Sequence, residues 1–380
     1  MIKNGYYYPD YLWKKTCHFN EVTGEAEGDC AFGFAVGNRR AGKSVGIGIF
    51  ALADFLLYGY QTVLIRRYKD DFQKKKAMEN FWQKSWPYLK EFPEIVKGDV
   101  KLQEMYPLDL VMNFDWEGHK LEFKENHAFI DDHLFSSPCA LSKFNDFKNE
   151  NFSNVHKLIY DEFITEDNQK LKNEVFALYN VLDTAARGRD DALNTTAVIF
   201  IANSITNVSD MYVELGIDRE LRSDTKRLYR PEKGYVLEKI MNKAVAEEFK
   251  NSAVGRVMSN GLVGQQYTGY AQSNEVKDDE GFVMRLDGDM RYIVNFKYDD
   301  TVFALKYHPG WGLYYITDDG VDYTRETLAL QREDHSMDTL LINNVIKKRM
   351  AYIKLFYGCG YMRFNSMRSK AMFLEMYSYM

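Results

Sequence analysis

Short, continuous apolar runs alternate with longer helix-like stretches through the first half of the chain. Residues 32–36 (FGFAV) form one such run, 62–66 (TVLIR) a second, and 158–160 and 197–201 (AVIFI) two more. A run without polar interruption suits a strand covered on both faces, and such strands separated by helices make a mostly parallel sheet. The helices predicted between them are 43–58, ending at Gly59; 69–89, with Pro87 near its end; and 173–187, with Val175, Leu178 and Leu182 at helical spacing. From Val111 to Leu134 the pattern becomes alternating (VMNFDWEGHKLEFK), which predicts an inserted antiparallel hairpin turning at Glu117-Gly118.

The second half reads differently. Residues 218–233 are charged and include Pro231, so they suggest a connection leaving a first domain. A helical segment is predicted over 236–254, and 259–281 is polar and glycine-containing. Residues 291–297, 301–307 and 311–317 then predict a three-stranded meander with turns at Tyr298-Asp299-Asp300 and Pro309-Gly310, followed by helices over 337–357 and 365–380. The resulting division is 1–233, a helical linker module 234–277, and 278–380. No fixed-period repeat or low-complexity segment interrupts it.

Composition narrows the classes. The 380 residues are 46% hydrophobic and 27% charged, as in an ordinary globular chain. Cys17, Cys30, Cys139 and Cys359 form no CxxC pair and predict free thiols in a reducing compartment, not a disulfide framework or a zinc site. The seven histidines show no metal-binding spacing. No stretch matches a membrane span, and MIKNGYYYPDYLWKK lacks the apolar core of a signal peptide, so a cytoplasmic protein is expected. A net charge of −6 argues against coating nucleic acid over the whole surface, but leaves room for a local basic patch.

The most informative stretch is Gly37-Asn38-Arg39-Arg40-Ala41-Gly42-Lys43-Ser44, which matches GxxxxGK[ST] between a predicted strand and a predicted helix. Backbone N–H groups in such a loop, with the helix start, favour an anion; Lys43 would neutralise the β/γ-phosphate oxygens of ATP and Ser44 would ligate Mg²⁺. Gly37, Arg39, Ala41, Gly42, Lys43, Ser44 and Val45 are the candidate nucleotide contacts. In KLIYDEF, Asp161 and Glu162 follow an apolar run and so emerge at a strand's C-terminal end, where open α/β sheets bind ligands. Asp161 is the candidate metal ligand and Glu162 the candidate base for an attacking water. Asn203, ending AVIFIAN, is either a γ-phosphate sensor or simply a strand-end asparagine. Arg187 and Arg189 either reach a neighbour's γ-phosphate or solvate a helix C-terminus. Arg66-Arg67 are either a surface pair or a nucleotide or nucleic-acid contact.

Together these residues resemble the encapsidation ATPases of phi-29-type bacteriophages, compact relatives of terminase large subunits. The likeness is carried by the phosphate loop, by VLIRRYK, by NVHKLIYDEFITEDN, NEVFALYNVLDTAARGR and IFIANSITNV, and by FKYDDTVFALKYHPGWGLYYITD and YGCGYMRFN. It implies an N-terminal P-loop ATPase of the ASCE type with a mostly parallel sheet, a short helical linker and a C-terminal α+β domain of RNase H-like, vestigial-nuclease fold. It further implies a homo-oligomeric ring of five subunits on the portal of an empty capsid, a packaging RNA, and ATP-driven movement of double-stranded DNA. Such a protein works in the host cytoplasm, attached to the procapsid only during packaging. By position, Arg187 matches the family's arginine finger and Lys148 a lysine acting across the subunit interface. Arg40 stands where the family has a small residue, which makes Arg39 the nucleotide-contacting arginine.

In the last domain, two-metal cleavage would need carboxylates converging from the strands, and RYIVNFKYDD offers Asn295 in mid-strand. A nuclease fold without nuclease activity is therefore expected. Lys347, Lys348, Arg349, Lys354, Arg363, Arg368 and Lys370 lie in a stretch without acidic residues, interleaved with Tyr352, Phe356, Tyr357, Tyr361 and Phe364. The cations suit a phosphate backbone, DNA or RNA, while the aromatics read as core. Other readings of the whole chain are a different ASCE translocase or helicase, or a nucleotide-gated clamp at the portal.

Overall fold

The computed structural model describes residues 2–3, 6–147, 154–164, 171, 173–187, 192–203, 209–221, 225–241, 247–249, 251–259, 283–298, 301–330, 332, 334–342, 348, 351–366, 368–370 and 372–373. The chain forms two compact units: residues 1–205 with 224–275, and 206–223 with 276–380.

In the first unit, β1 (Phe32–Gly37) leads into α1 (Lys43–Tyr58), and β2 (Gln61–Arg66) follows. A hairpin of β3 (Leu121–Lys124) and β4 (His127–Ile130) continues into β5 (His133–Ala140). After these come β6 (Val155–Asp161), α2 (Glu174–Ala185), β7 (Ala197–Asn203), β8 (Arg227–Arg230), β9 (Tyr235–Ile240) and α3 (Ala253–Ser259). The strands form one nine-stranded sheet in the order β8-β9-β1-β7-β6-β2-β5-β4-β3. From β9 to β5 every neighbouring pair is parallel; β8, β4 and β3 add antiparallel edges. Every residue of β1 and β6 is buried, as expected for strands covered on both faces. Phe34 and Phe200 stack at 4.4 Å between ring centroids on adjacent strands. α1 lies in the main core with Trp13, Trp82, Phe92, Tyr106 and Phe135.

Three local expectations are corrected. The stretch 69–89 is not one helix: Lys69–Gln73 and Ala77–Ser85 are separated by Lys76 in the left-handed region (φ 49°), and a 3-10 turn begins at Trp86 next to Pro87. The hairpin turns at Glu125-Asn126, both with positive φ (51° and 65°), as a two-residue turn between right-twisted strands requires. Val111 lies instead in the helix Leu108–Asn113, and the Asp115 carboxylate accepts from the backbone N–H groups of Glu117 and Gly118. Finally, the expected helix at 236–254 begins as a strand, β9, paired in parallel with β1. Its charged residue Glu238 is buried there because Tyr7 Oη donates to it at 2.5 Å and Arg227 Nε at 2.7 Å.

The second unit contains β10 (Arg291–Tyr298), β11 (Thr301–His308), β12 (Leu313–Thr317), β13 (Thr327–Ala329), β14 (Leu340–Leu341), α4 (Ala351–Gly358) and β15 (Met362–Phe364). The antiparallel meander β10-β11-β12 is present as read from the sequence. It sits inside a six-stranded sheet ordered β14-β13-β10-β11-β12-β15, in which β14 occupies part of the stretch 337–357 expected to be helical and β15 falls between the two expected helices. The chain is thus an α/β protein with mixed sheets.

Candidate functional site: the strand-end loop of the first sheet

Gly37 ends β1 and pairs with Asn203 at the end of β7 and with Ile240 at the end of β9. The turn into α1 is tight. A Cβ on Gly37 would lie 2.0 Å from the Ile240 carbonyl oxygen, and Gly42 precedes the helix in the left-handed region at φ 80°. The N-terminal segment braces the turn from the other side: Tyr7 N–H donates to the Ala41 carbonyl at 3.0 Å, and the Tyr7 carbonyl packs so close to Gly46 that a side chain there would collide.

Lys43, the first residue of α1, is buried and reaches back across the turn. Its Nζ donates to the carbonyls of Gly37 (2.9 Å) and Asn38 (2.8 Å) and to Asn203 Oδ1 (3.4 Å). Burial pushes its pKa down to about 7; Asp161 pulls it upward and Arg39 pushes it further down. A cation held by carbonyl dipoles, and discouraged by desolvation from keeping its charge, is poised to take an anion. Ser44 and Val45 follow in the first turn of the helix, partly exposed.

Asp161 ends β6 and is buried; Glu162 follows with φ 62° and an exposed carboxylate. The Glu162 N–H donates to the Ile201 carbonyl at 2.8 Å, which fixes the backbone where the strand ends. Arg66, at the end of β2, bridges the two acids: one guanidinium nitrogen lies 2.5 Å from Asp161 Oδ2 and the other 2.5 Å from Glu162 Oε2. Burial raises the Asp161 pKa and Arg66 opposes that rise. Arg67 turns inward, with Nε 2.6 Å from Glu174 Oε2 and further donations to the backbone carbonyls of Glu162 (2.7 Å) and Phe163. Tyr160 Oη also donates to Glu174, at 2.6 Å. The two arginines are therefore neither a loose surface pair nor exposed contacts: Arg67 shapes the 162–163 backbone while Arg66 holds both acids. Neither role is visible in VLIRRYK alone, because the partners lie about a hundred residues away.

The structure thus gathers Gly37, Arg39, Lys43, Asn203, Asp161 and Arg66 at one end of the parallel strands. Arg187 follows α2, its side chain exposed and paired with Asp183 one helical turn earlier. Lys148, Arg189, Lys347 and Arg349 lie outside the described residues. In the second unit, Lys348 is exposed and Lys354 is half-buried on α4. Arg363 donates to the carbonyls of Gly360 and Met362, both at 2.7 Å, and Arg368 donates to Thr301 Oγ1 at 2.6 Å. Lys370 is a correction: at 1% exposure it lies inside the unit with Met372 and Phe373 and is withdrawn from any surface patch. Phe356 stacks on Tyr314 at 4.6 Å and Tyr357 packs on Phe373 at 4.9 Å, so these aromatics serve the core. Asn295 is fully buried in mid-strand; its amide donates to the Asp322 carbonyl (2.9 Å) and Thr327 Oγ1 (3.2 Å) and accepts from Tyr292 Oη.

A mostly parallel sheet with a glycine-bounded loop and paired carboxylates at its strand ends defines an α/β protein whose strand-end loop is its candidate ligand site. The model of the podovirus DNA encapsidation protein (Gp16) family matches residues 109–380, and the chain belongs to this family. The DNA packaging protein of Bacillus phage phi29 is 23% identical over 342 residues, covering 89% of this chain and 90% of the relative. That of Bacillus phage B103 is 24% identical over 357 residues, covering 93% and 98%. Among solved structures, a chain of the bacteriophage Phi-29 viral genome packaging motor assembly superposes with a TM-score of 0.64 at 19% identity, 99% of each chain being covered. The Phi-28 gp11 DNA packaging motor gives 0.55 at 17% identity. The chain is homologous to genome-packaging motor proteins along nearly its whole length.

Proposed function

We propose that the chain is an ATP-hydrolysing motor that drives double-stranded DNA into a preformed capsid, with the 37–44 loop as a P-loop. The observation that carries this reading is Lys43, buried among the Gly37 and Asn38 carbonyls and Asn203 and within electrostatic reach of Asp161. The β/γ-phosphates of ATP would supply the anion this lysine lacks, and the loop N–H groups would surround them. Ser44 and Asp161 fit a Mg²⁺ ion, since a hydroxyl at the helix start and a buried carboxylate are the oxygen donors it prefers. When bound, the ion neutralises charge developing on the phosphates.

Glu162 takes the proton of the attacking water. It can do so only when its carboxylate is released from Arg66, so the clamp on both acids is a resting arrangement that must open before turnover. Asn203 senses the γ-phosphate from the end of β7, and Arg187, exposed at the end of α2, acts on the nucleotide of the adjacent protomer in a ring. Lys148 acts across the same interface. The ring, of five subunits, sits at the portal, where a packaging RNA and the DNA meet it. Lys348, Lys354, Arg363 and Arg368 are the cations proposed for the nucleic acid. The second unit is a vestigial RNase H-like fold without nuclease activity, a reading supported by Asn295, an amide with its hydrogen bonds already committed where cleavage would need a carboxylate.

Glu162→Gln tests the assignment. The variant is expected to bind ATP as the wild type does and to lose turnover by about a hundredfold or more, the usual contribution of a positioned base. Normal hydrolysis by Glu162→Gln would remove Glu162 from the mechanism.

A further inference from the structure

Arg40 is unusual within the 37–44 loop. It has φ 63° with a side chain attached, in a region that glycine adopts at little cost and arginine does not. Its guanidinium lies over the ring of Phe249, 4.5 Å from the centroid. Phe249 is buried at 6% exposure and belongs to the stretch that continues from β9 toward α3. The end of β9, just before that stretch, also meets the loop, through Asn38 N–H to the Ile240 carbonyl (3.2 Å) and through the close approach of Gly37 to that carbonyl. The loop therefore meets this part of the chain at two places, at the Ile240 carbonyl through Gly37 and Asn38, and at Phe249 through Arg40.

We propose that Arg40 is a positioning residue that couples nucleotide at the loop to the segment around 247–259 through its stack on Phe249. The proposal rests on reading the loop as the ATP site. The N–H groups that would surround a phosphate belong to residues on both sides of Arg40, so an anion that fixes them fixes the backbone at Arg40 as well. The guanidinium then holds the ring, and the segment carrying Phe249 becomes more ordered. By linkage, the stack must strengthen nucleotide binding by the same factor. A glycine at position 40 would adopt the turn more easily and transmit nothing.

The test uses the full chain and four proteins: wild type, Arg40→Gly, Phe249→Leu and the double variant. Leucine keeps the burial and removes the ring face, so the fold is retained. Titration with a non-hydrolysable ATP analogue should show each single variant binding about two- to fivefold more weakly, the range a cation over a ring contributes. The double variant should be no weaker than either single, because both remove one interaction. Tryptic cleavage after the exposed Arg256 should slow with the analogue in the wild type and not in the variants, and Arg40→Lys should recover part of that protection. Equal protection in all four proteins, or additive losses of affinity, would overturn the coupling while leaving the ATP site standing. A wild type that binds no analogue at all would sink both.

Discussion

Lys43 and Arg66 set the state of the site. Burial holds the Lys43 pKa near 7, below its unfolded value of 10.5, so at alkaline pH the empty loop favours the neutral amine. On the proposed reading, a triphosphate at the loop would reverse that preference. Nucleotide binding at pH 8.5 is therefore expected to take up close to one proton, and binding at pH 6 almost none. Calorimetric titration in buffers of different ionisation enthalpy measures this uptake directly, and equal uptake at both pH values would contradict the role given to Lys43. Arg66 makes the complementary prediction. Arg66→Ala frees Glu162 and leaves Lys43 to face Asp161, so ATP turnover without DNA should rise severalfold and the stimulation by DNA should shrink. Unchanged basal turnover in a folded Arg66→Ala protein would show that the clamp does not restrain the base.

At the scale of elements, α1 carries a second buried charge, Asp54, remote from the loop. Trp13 Nε1 donates to it at 3.1 Å and Tyr106 Oη at 2.5 Å, which ties the short helix Asp10–Lys15 and the 100–113 region to α1. Burial raises its pKa from 3.8 to about 6, a shift that the Tyr106 hydrogen bond, Lys157 and the Trp13 hydrogen bond only partly oppose. The folded pKa exceeds the unfolded one, so this contribution to stability is complete below the unfolded value and is lost as pH rises through about 6. The loss is on the order of 3 kcal/mol for a fully buried group. Asp54→Asn removes the titration, and its melting temperature should accordingly change less between pH 4.5 and pH 7.5 than that of the wild type.

The same element shows what a sequence can and cannot display. β1, α1, β2, β6, α2 and β7 were legible because unbroken apolar runs, a glycine-bounded loop and, for α2, a 3.6-residue period are local signals. β9 was not, because Glu238 and Lys239 break its apolar run, and only Tyr7 and Arg227, both far away in sequence, make Glu238 tolerable inside. The hairpin was placed one turn early because Glu117-Gly118 is a better turn dipeptide than Glu125-Asn126, while the strands that select the turn belong to the tertiary sheet. The placement of Lys43 at a helix start and of Asp161 and Glu162 at a strand end was readable from spacing. Arg66 and the stack of Arg40 on Phe249 were not, since each depends on a partner brought in by the sheet.

For the whole molecule, the proposed motor gives the two units different tasks. The first presents the loop and the paired acids at its strand ends, and the second presents cations around α4 and β15 on a mixed sheet. A motor must link turnover in the first to force on a duplex, and membership of the encapsidation family supplies the setting in which that link has meaning. The most direct test is to follow ATP consumption and nuclease-protected DNA together, using purified protein, double-stranded DNA and empty capsids. Turnover should rise when DNA and capsids are both present, protected DNA should accumulate in proportion to ATP consumed, and Glu162→Gln should abolish both. Protection that proceeds at the wild-type rate in Glu162→Gln, with no ATP split, would contradict the account and leave a nucleotide-gated clamp in its place.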